Sequence, residues 1–192
     1  MFLVRPSLTE KKNFNADDIL TLRCAEYTDP VKRTLNALIS YRPGEPSMYW
    51  NLRYSPQPGC IDFMKLNRPY NNIDMVQLAT SPPADQMRLY HPRLPWYIDV
   101  FRTTPNGITI QDVLFAIYDQ LASQIHQRHY YNEELDDAHR GVLSAAFSDR
   151  CGNRSESERG ILQIDFLADK YVLFGLVKGK NGMWELKTGE ED

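Results

Sequence analysis

The chain has 192 residues, 42% hydrophobic and 24% charged, which is enough apolar material for one substantial core and too little for two. Its 25 acidic and 22 basic residues leave a formal charge of −3, so no bulk electrostatic drive points toward nucleic acid or an anionic membrane. Cys24, Cys60 and Cys151 cannot all pair with one another and lack metal-binding spacing; reduced thiols in a cytoplasmic or nuclear protein are expected, with no cofactor and no metal.

Apolar runs are short throughout. Met1 to Pro6 does not make a signal peptide, and Tyr171 to Val177 is far too brief to span a bilayer, so no membrane association is expected. Residues 1–47 read as an N-terminal helical arm, and residues 48–192 as an α+β domain. The arm holds a helix starting near Asn15, with Asp17 and Asp18 in its first turn, and a second helix with Asp29 as cap and Pro30 at the first helical position. That second helix carries an apolar stripe of Val31, Leu35, Leu38 and Ile39 and stops at Pro43-Gly44, leaving the arm a candidate element for association or for packing on the core.

Strands are expected near 49–54, 86–90 and 96–101, where aromatic and β-branched residues alternate. Between the first two, Ser55 to Pro83 is rich in Pro and Asn and reads as an irregular cover or a lid. After Pro105-Asn106-Gly107, Thr109 and Asp112 form an acidic capping box, and Ile108 and Val113 form a hydrophobic staple. Ile110, Leu114, Ile117, Leu121 and Ile125 then mark one face of a helix that packs on a sheet. Its capping duty accounts for the carboxylate of Asp112 without catalysis.

A second helix is expected near 133–149, capped by Asn132, with Glu133 and Glu134 in its first turn and Leu135, Ala138, Val142, Ala145 and Ala146 as its buried stripe. His126, His129 and Glu133 would gather as metal-competent groups on a continuous helix, but the segment reads as a loop leading into a cap. Strands near 161–167, 171–177 and 183–187 close the chain, the last two joined by the favoured two-residue turn Asn181-Gly182. The fold class is α+β: a single, mainly antiparallel β-sheet with two helices packed on one face and an N-terminal helical arm.

Trp50-Asn51-Leu52, Ala79-Thr80-Ser81-Pro82-Pro83, Leu94-Pro95-Trp96-Tyr97-Ile98-Asp99-Val100, Gly107 to Leu114, Arg150-Cys151, Gly160 to Leu167 and Phe174-Gly175-Leu176 together carry a resemblance. The pattern, over roughly residues 48–187, resembles a domain of unknown function abundant in mushroom-forming (basidiomycete) fungi. The resemblance implies an intracellular fungal protein, often present in many diverged copies, and transfers no activity, cofactor or catalytic residue. Most matched positions are core or turn; Arg150 and Asp165 are polar exceptions and read as a buried ion pair between the second helix and the strand near 161–167.

Catalytic residues are not assigned, since the chain has no Gly-rich phosphate loop, nucleophile elbow or zinc-protease helix. The favoured reading is a protein- or peptide-binding module, resting on aromatic residues beside irregular segments. Candidate binding residues are Tyr54, Tyr70, Tyr90, Asp99, Arg102 and His126. Asp99 can face solvent, pair with an Arg such as Arg102, or line a cleft. The alternative is a small-molecule-binding protein or enzyme with its site at the sheet edge under the 55–83 loop, where Asp99, Arg102, His126 and Asp165 would converge. Single-strand nucleic-acid binding by Arg53, Lys65, Arg68 and Arg88 beside Tyr54, Tyr70 and Tyr90 is disfavoured by the net acidity. Oligomeric state is left open.

Overall fold

The structure is a computed structural model that describes residues 27–125 and 136–191. In chain order come β1 (Thr34–Leu35), β2 (Met48–Asn51), β3 (Ile61–Phe63), α1 (Asn72–Met75), β4 (Thr80–Ser81), β5 (Gln86–Tyr90) and β6 (Ile98–Phe101). They are followed by α2 (Ile110–Leu121), α3 (Asp137–Arg150), α4 (Arg154–Glu158), a 3₁₀ helix (Gln163–Leu167), β7 (Val172–Lys178) and β8 (Trp184–Gly189). Among the described residues no helix is long and apolar enough to cross a membrane.

Alternation sets the main sheet. Met48 and Trp50, Ile61 and Phe63, Met87 and Leu89, Ile98 and Val100, and Trp184 and Leu186 all turn to one buried face. Their neighbours face the other way, where Arg88 meets Asp99 and the Tyr90 hydroxyl donates to Glu185. α2 belongs to the same core: Ile110, Val113, Leu114, Ile117 and Leu121 are fully buried, each worth about 1.5–3 kcal/mol of transfer free energy. The expected capping box starts it, with the Thr109 N–H donating to Asp112 at 2.8 Å and the Asp112 N–H to the Thr109 hydroxyl at 3.2 Å.

The single, mainly antiparallel sheet is not what forms. There are two sheets: a two-stranded one, β1–β4, and a six-stranded one in the order β3-β2-β7-β8-β5-β6. The larger is mixed, because β8, after pairing antiparallel with β7, lies parallel to β5. A hairpin dictates how its own two strands pair and leaves the far side of β8 to whatever element reaches it.

The N-terminal helical arm is also corrected, as far as it is described; the candidate helix near Asn15 lies outside the described residues. Residues 29–41 contain no helix. Asp29 accepts from the Val31 N–H and pairs with Arg33, and Asn36 accepts from the Leu38 N–H, so side chains capture the backbone donors in turns. Thr34 and Leu35 pair with β4, and the Ile39 carbonyl and Tyr41 N–H bond Leu176, which extends the edge of β7 beyond β2. Leu38 and Ile39 are buried on the sheet.

Two helix and strand assignments shift as well. The expected strand at 161–167 is the 3₁₀ helix, because the Asp165 carboxylate turns back to accept the Leu162 N–H at 2.8 Å and caps the turn. Two helices on one sheet face becomes one: α3 packs on the 3₁₀ helix and buries Leu143 and Ala146, while Ala138, Val142 and Ala145 are exposed. Asp136 caps α3, whereas Asn132, Glu133, Glu134 and Leu135 lie outside the described residues. The Ser55–Pro83 segment holds three short elements, β3, α1 and β4. Asn181 and Gly182 both take left-handed φ values, 54° and 78°, as the expected turn demands.

Two predictions follow from this packing. Gly175 has φ +137°, and a Cβ there would lie 2.5 Å from the Ser47 hydroxyl oxygen and 3.0 Å from the Ile39 carbonyl oxygen. Gly175→Ala is expected to lower the free energy of urea unfolding by about 2 kcal/mol or more; an unchanged midpoint would remove Gly175 from the constraint.

His91 is 7% exposed; its Nδ1 accepts the Arg93 N–H, which leaves Nε2–H to donate to the Thr188 hydroxyl. Burial, reinforced by Arg93, pushes its pKa down from 6.5 to about 4. The fold binds the neutral ring, so stability is complete above pH 6.5 and falls as pH drops toward 4, by at most about 3 kcal/mol. Asp74 and Asp169 stay ionised in that window, held below the usual carboxylate range by Arg68 and Arg93. Unfolding titrations of wild type and His91→Gln between pH 7 and 4 should diverge as pH falls; parallel curves would contradict this.

Candidate functional site

Beyond β2 the chain turns sharply around Asn51, whose side chain accepts the Arg53 N–H while its carbonyl accepts the Tyr54 N–H. Trp50 braces the turn, its indole N–H donating to the Tyr54 carbonyl at 3.0 Å. Leu52 is buried and Arg53 is only partly so, its guanidinium over the Tyr171 ring at 3.7 Å from the centroid. The Tyr171 hydroxyl donates to Glu191, and burial together with that carboxylate raises its pKa, so the ring stays neutral beneath the cation.

Facing this turn is the end of α3. Arg150 grips Asp165 through two bonds, Nε to Oδ1 at 2.7 Å and Nη2 to Oδ2 at 2.9 Å, with the two side chains 5% and 2% exposed. The same guanidinium donates to the Gly160 carbonyl at 2.8 Å and reaches Glu156 on α4 at 3.2 Å. Hydrogen bonding to Asp165 raises the Arg150 pKa further, so its charge is permanent. This is the ion pair expected from the sequence, joining α3 to the 3₁₀ helix in place of a strand.

Between these two walls lie adjoining hollows of 330 and 570 Å³. The smaller has an apolar floor of Leu52, Leu162 and Ile164, aromatic walls from Tyr54 and Tyr118, and a polar rim of Arg53, Asp149, Asn153, Glu156 and Arg159. The larger runs along the exposed Val142–Ala145 side of α3 to Asp169, Tyr171, Glu190 and Glu191. Arg53 and Asp149 stand in the walls of both, so the two form one trough.

Its arginines are unusual for this molecule. Arg33, Arg68, Arg88, Arg93, Arg102, Arg140, Arg150 and Arg154 each hold a carboxylate. Arg42, Arg53 and Arg159 hold none among the described residues, and two of these three line the smaller hollow.

The residues singled out from the sequence are dispersed. Tyr54 lies on the trough, 61% exposed. Tyr70 packs edge-on against Phe63, its hydroxyl 3.5 Å from the Pro56 carbonyl. Tyr90 and Asp99 are on the solvent side of β5 and β6, where Asp99 pairs with Arg88 directly across the strands and not with Arg102. Arg102 pairs with Asp85 and donates to the Pro105 carbonyl. His126 lies outside the described residues, as do His129 and Glu133; among the described residues no group of His, Cys, Asp or Glu is placed to hold a metal. Asp165 is committed to Arg150 and does not meet Asp99 or Arg102 in any described hydrogen bond. Of the cations weighed for nucleic acid, Arg68 and Arg88 are held by Asp74 and Asp99.

Sequence reasoning missed that Arg53 packs on Tyr171 and that Arg159 lines the smaller hollow with Arg53, since the three come from separate segments. The one available signal is Arg53 in the Trp50-to-Tyr54 run, whose alternation reads as strand.

The sequence matches a family of unknown function, DUF6699, over residues 48–182, a span that contains the whole lining of the smaller hollow. No curated protein and no solved structure matches the chain.

Removing one partner of the buried pair strands the other. Asp165→Ala is expected to cost about 3–5 kcal/mol in urea unfolding, and the double replacement Arg150→Met with Asp165→Leu less than either single change. Equal stability of Asp165→Ala and wild type would show that the pair is solvated.

Proposed function

We propose that this chain, which belongs to the DUF6699 family, is a peptide-binding module that takes an extended segment of a partner protein in the trough between the Asn51–Tyr54 turn and the end of α3. One observation carries the reading: two hollows share Arg53 and Asp149 as a common wall and present a mixed lining of tyrosines, arginines and aliphatic side chains. Tyr and Arg are the residues that binding surfaces favour, because they supply large contact areas and directional donors together.

The walls of the trough are supported from behind. Arg53 is stacked on Tyr171, and α4 is tied through Arg150 to the 3₁₀ helix, so a ligand would meet side chains already in place. The exposed Tyr54 on the smaller hollow and Val142 on the larger offer apolar contact to residues of an extended chain. The reading includes the intracellular, fungal setting that the resemblance implies; the free thiols of Cys60 and Cys151 support a reducing compartment.

The test is selection of a displayed random dodecapeptide library on the full chain, followed by affinity measurement of resynthesised clones. Enriched clones should bind wild type and weaken about tenfold or more on Ala145→Trp, an exposed position that fills the larger hollow. Failure to enrich any clone above an unrelated control protein, or clones indifferent to Ala145→Trp and Tyr54→Ala alike, would overturn the proposal.

A further inference from the structure

We infer that the segment bound in this trough carries one acidic side chain, whose carboxylate enters the smaller hollow between Arg53 and Arg159; the inference rests on the peptide-binding reading above. The Arg53 guanidinium carbon sits over the Tyr171 ring, 3.7 Å from its centroid, and this contact spends none of its N–H donors, for which no acceptor is found among the described residues. Arg159 spends one donor on the Ala122 carbonyl at 3.1 Å, an anchor that holds the side chain along the wall of the hollow. Neither has a carboxylate partner among the described residues, while eight other arginines do. Two arginines lining one hollow, each anchored by another contact, supply the kind of donors that recognise a carboxylate.

The acids nearby set the limits of the charge pattern. Glu156 and Asp165 are both engaged by Arg150, so neither carboxylate bonds Arg53 or Arg159, and the one surplus negative charge of that trio offsets only part of the charge of the two guanidiniums. Asp149 stands on the divide, and beyond it Asp169, Glu190 and Glu191 line the larger hollow. A second carboxylate placed there would meet like charge, so the segment is expected to be acidic at one point and neutral or basic along the Val142–Ala145 side. The stem of the acidic residue would lie on Leu52, Leu162 and Ile164, which reward its methylene groups.

Dodecapeptide clones selected on the full chain supply the probe. They are expected to share one Asp or Glu, to lose about tenfold or more on its replacement by Asn or Gln, and to lose a similar factor on Arg159→Gln or Arg53→Gln. The acid-to-amide change should then have little further effect on those variants, which a general loss of folding would not produce; thermal melts of the exposed Arg159→Gln variant should match wild type. Poly-glutamate should not compete. Clones that bind the trough by the Ala145→Trp criterion but lack a common acid, or ignore both arginine replacements, overturn the inference and leave the peptide-binding reading standing. Competition by poly-glutamate as strong as by the clones overturns the single-acid pattern, and absence of any clone overturns the reading beneath it.

Discussion

A guanidinium with only 5% of its surface in water cannot remain uncompensated, and in this protein the compensation for Arg150 comes from three places in the chain. The Asp165 carboxylate takes two of its donors, the Gly160 carbonyl another, and Glu156 approaches from α4. Asp165 is itself turned by its bond from the Leu162 N–H, so one carboxylate both winds the 3₁₀ helix and receives the cation. The end of α3, the Gly160 turn and the 3₁₀ helix are therefore positioned by a single electrostatic requirement. Their surfaces make one wall of the trough, and the geometry of the proposed binding site depends on that requirement being met.

The opposite wall is set by the sheet. Trp50 is fully buried and donates to the Tyr54 carbonyl, so the core residue of β2 also fixes the turn that presents Arg53. Tyr171, immediately before β7, supplies both the carbonyl that accepts the Leu52 N–H and the ring that supports the Arg53 guanidinium. The proposed recognition and the stability thus draw on the same strands. Residues 39–41 and Ser47, which precede the family match, lie against β7 where Gly175 leaves no room for a side chain, and so complete the sheet from outside the matched span.

Polar groups elsewhere are arranged differently. On the solvent side of β5 and β6, Arg88 and Asp99 satisfy each other, with Arg88 also over the rings of Tyr27 and Tyr97. Such cross-strand pairing stabilises a sheet face and leaves little unspent charge for a ligand. The trough differs because stacking, and not a carboxylate, holds Arg53.

The sequence by itself determined what is local. The Thr109–Asp112 capping box, the α2 stripe from Ile110 to Leu121, the alternation of β5 and β6, and the left-handed Asn181-Gly182 turn all formed as read, because each depends on interactions within a few residues. The Arg150–Asp165 pair was legible too, as two charges among core positions. Only the tertiary structure decided the rest. Asp29 to Tyr41 has the stripe of a helix, but β4 and the open edge of β7 offered its backbone better partners than its own carbonyls did. Leu162, Ile164 and Leu167 read as a strand until Asp165 bent the chain. Whether β8 met β5 in parallel, whether Arg53 met Tyr171, and whether Arg159 came to line the same hollow as Arg53 turned on contacts between segments far apart in the chain, for which periodicity and capping carry no signal.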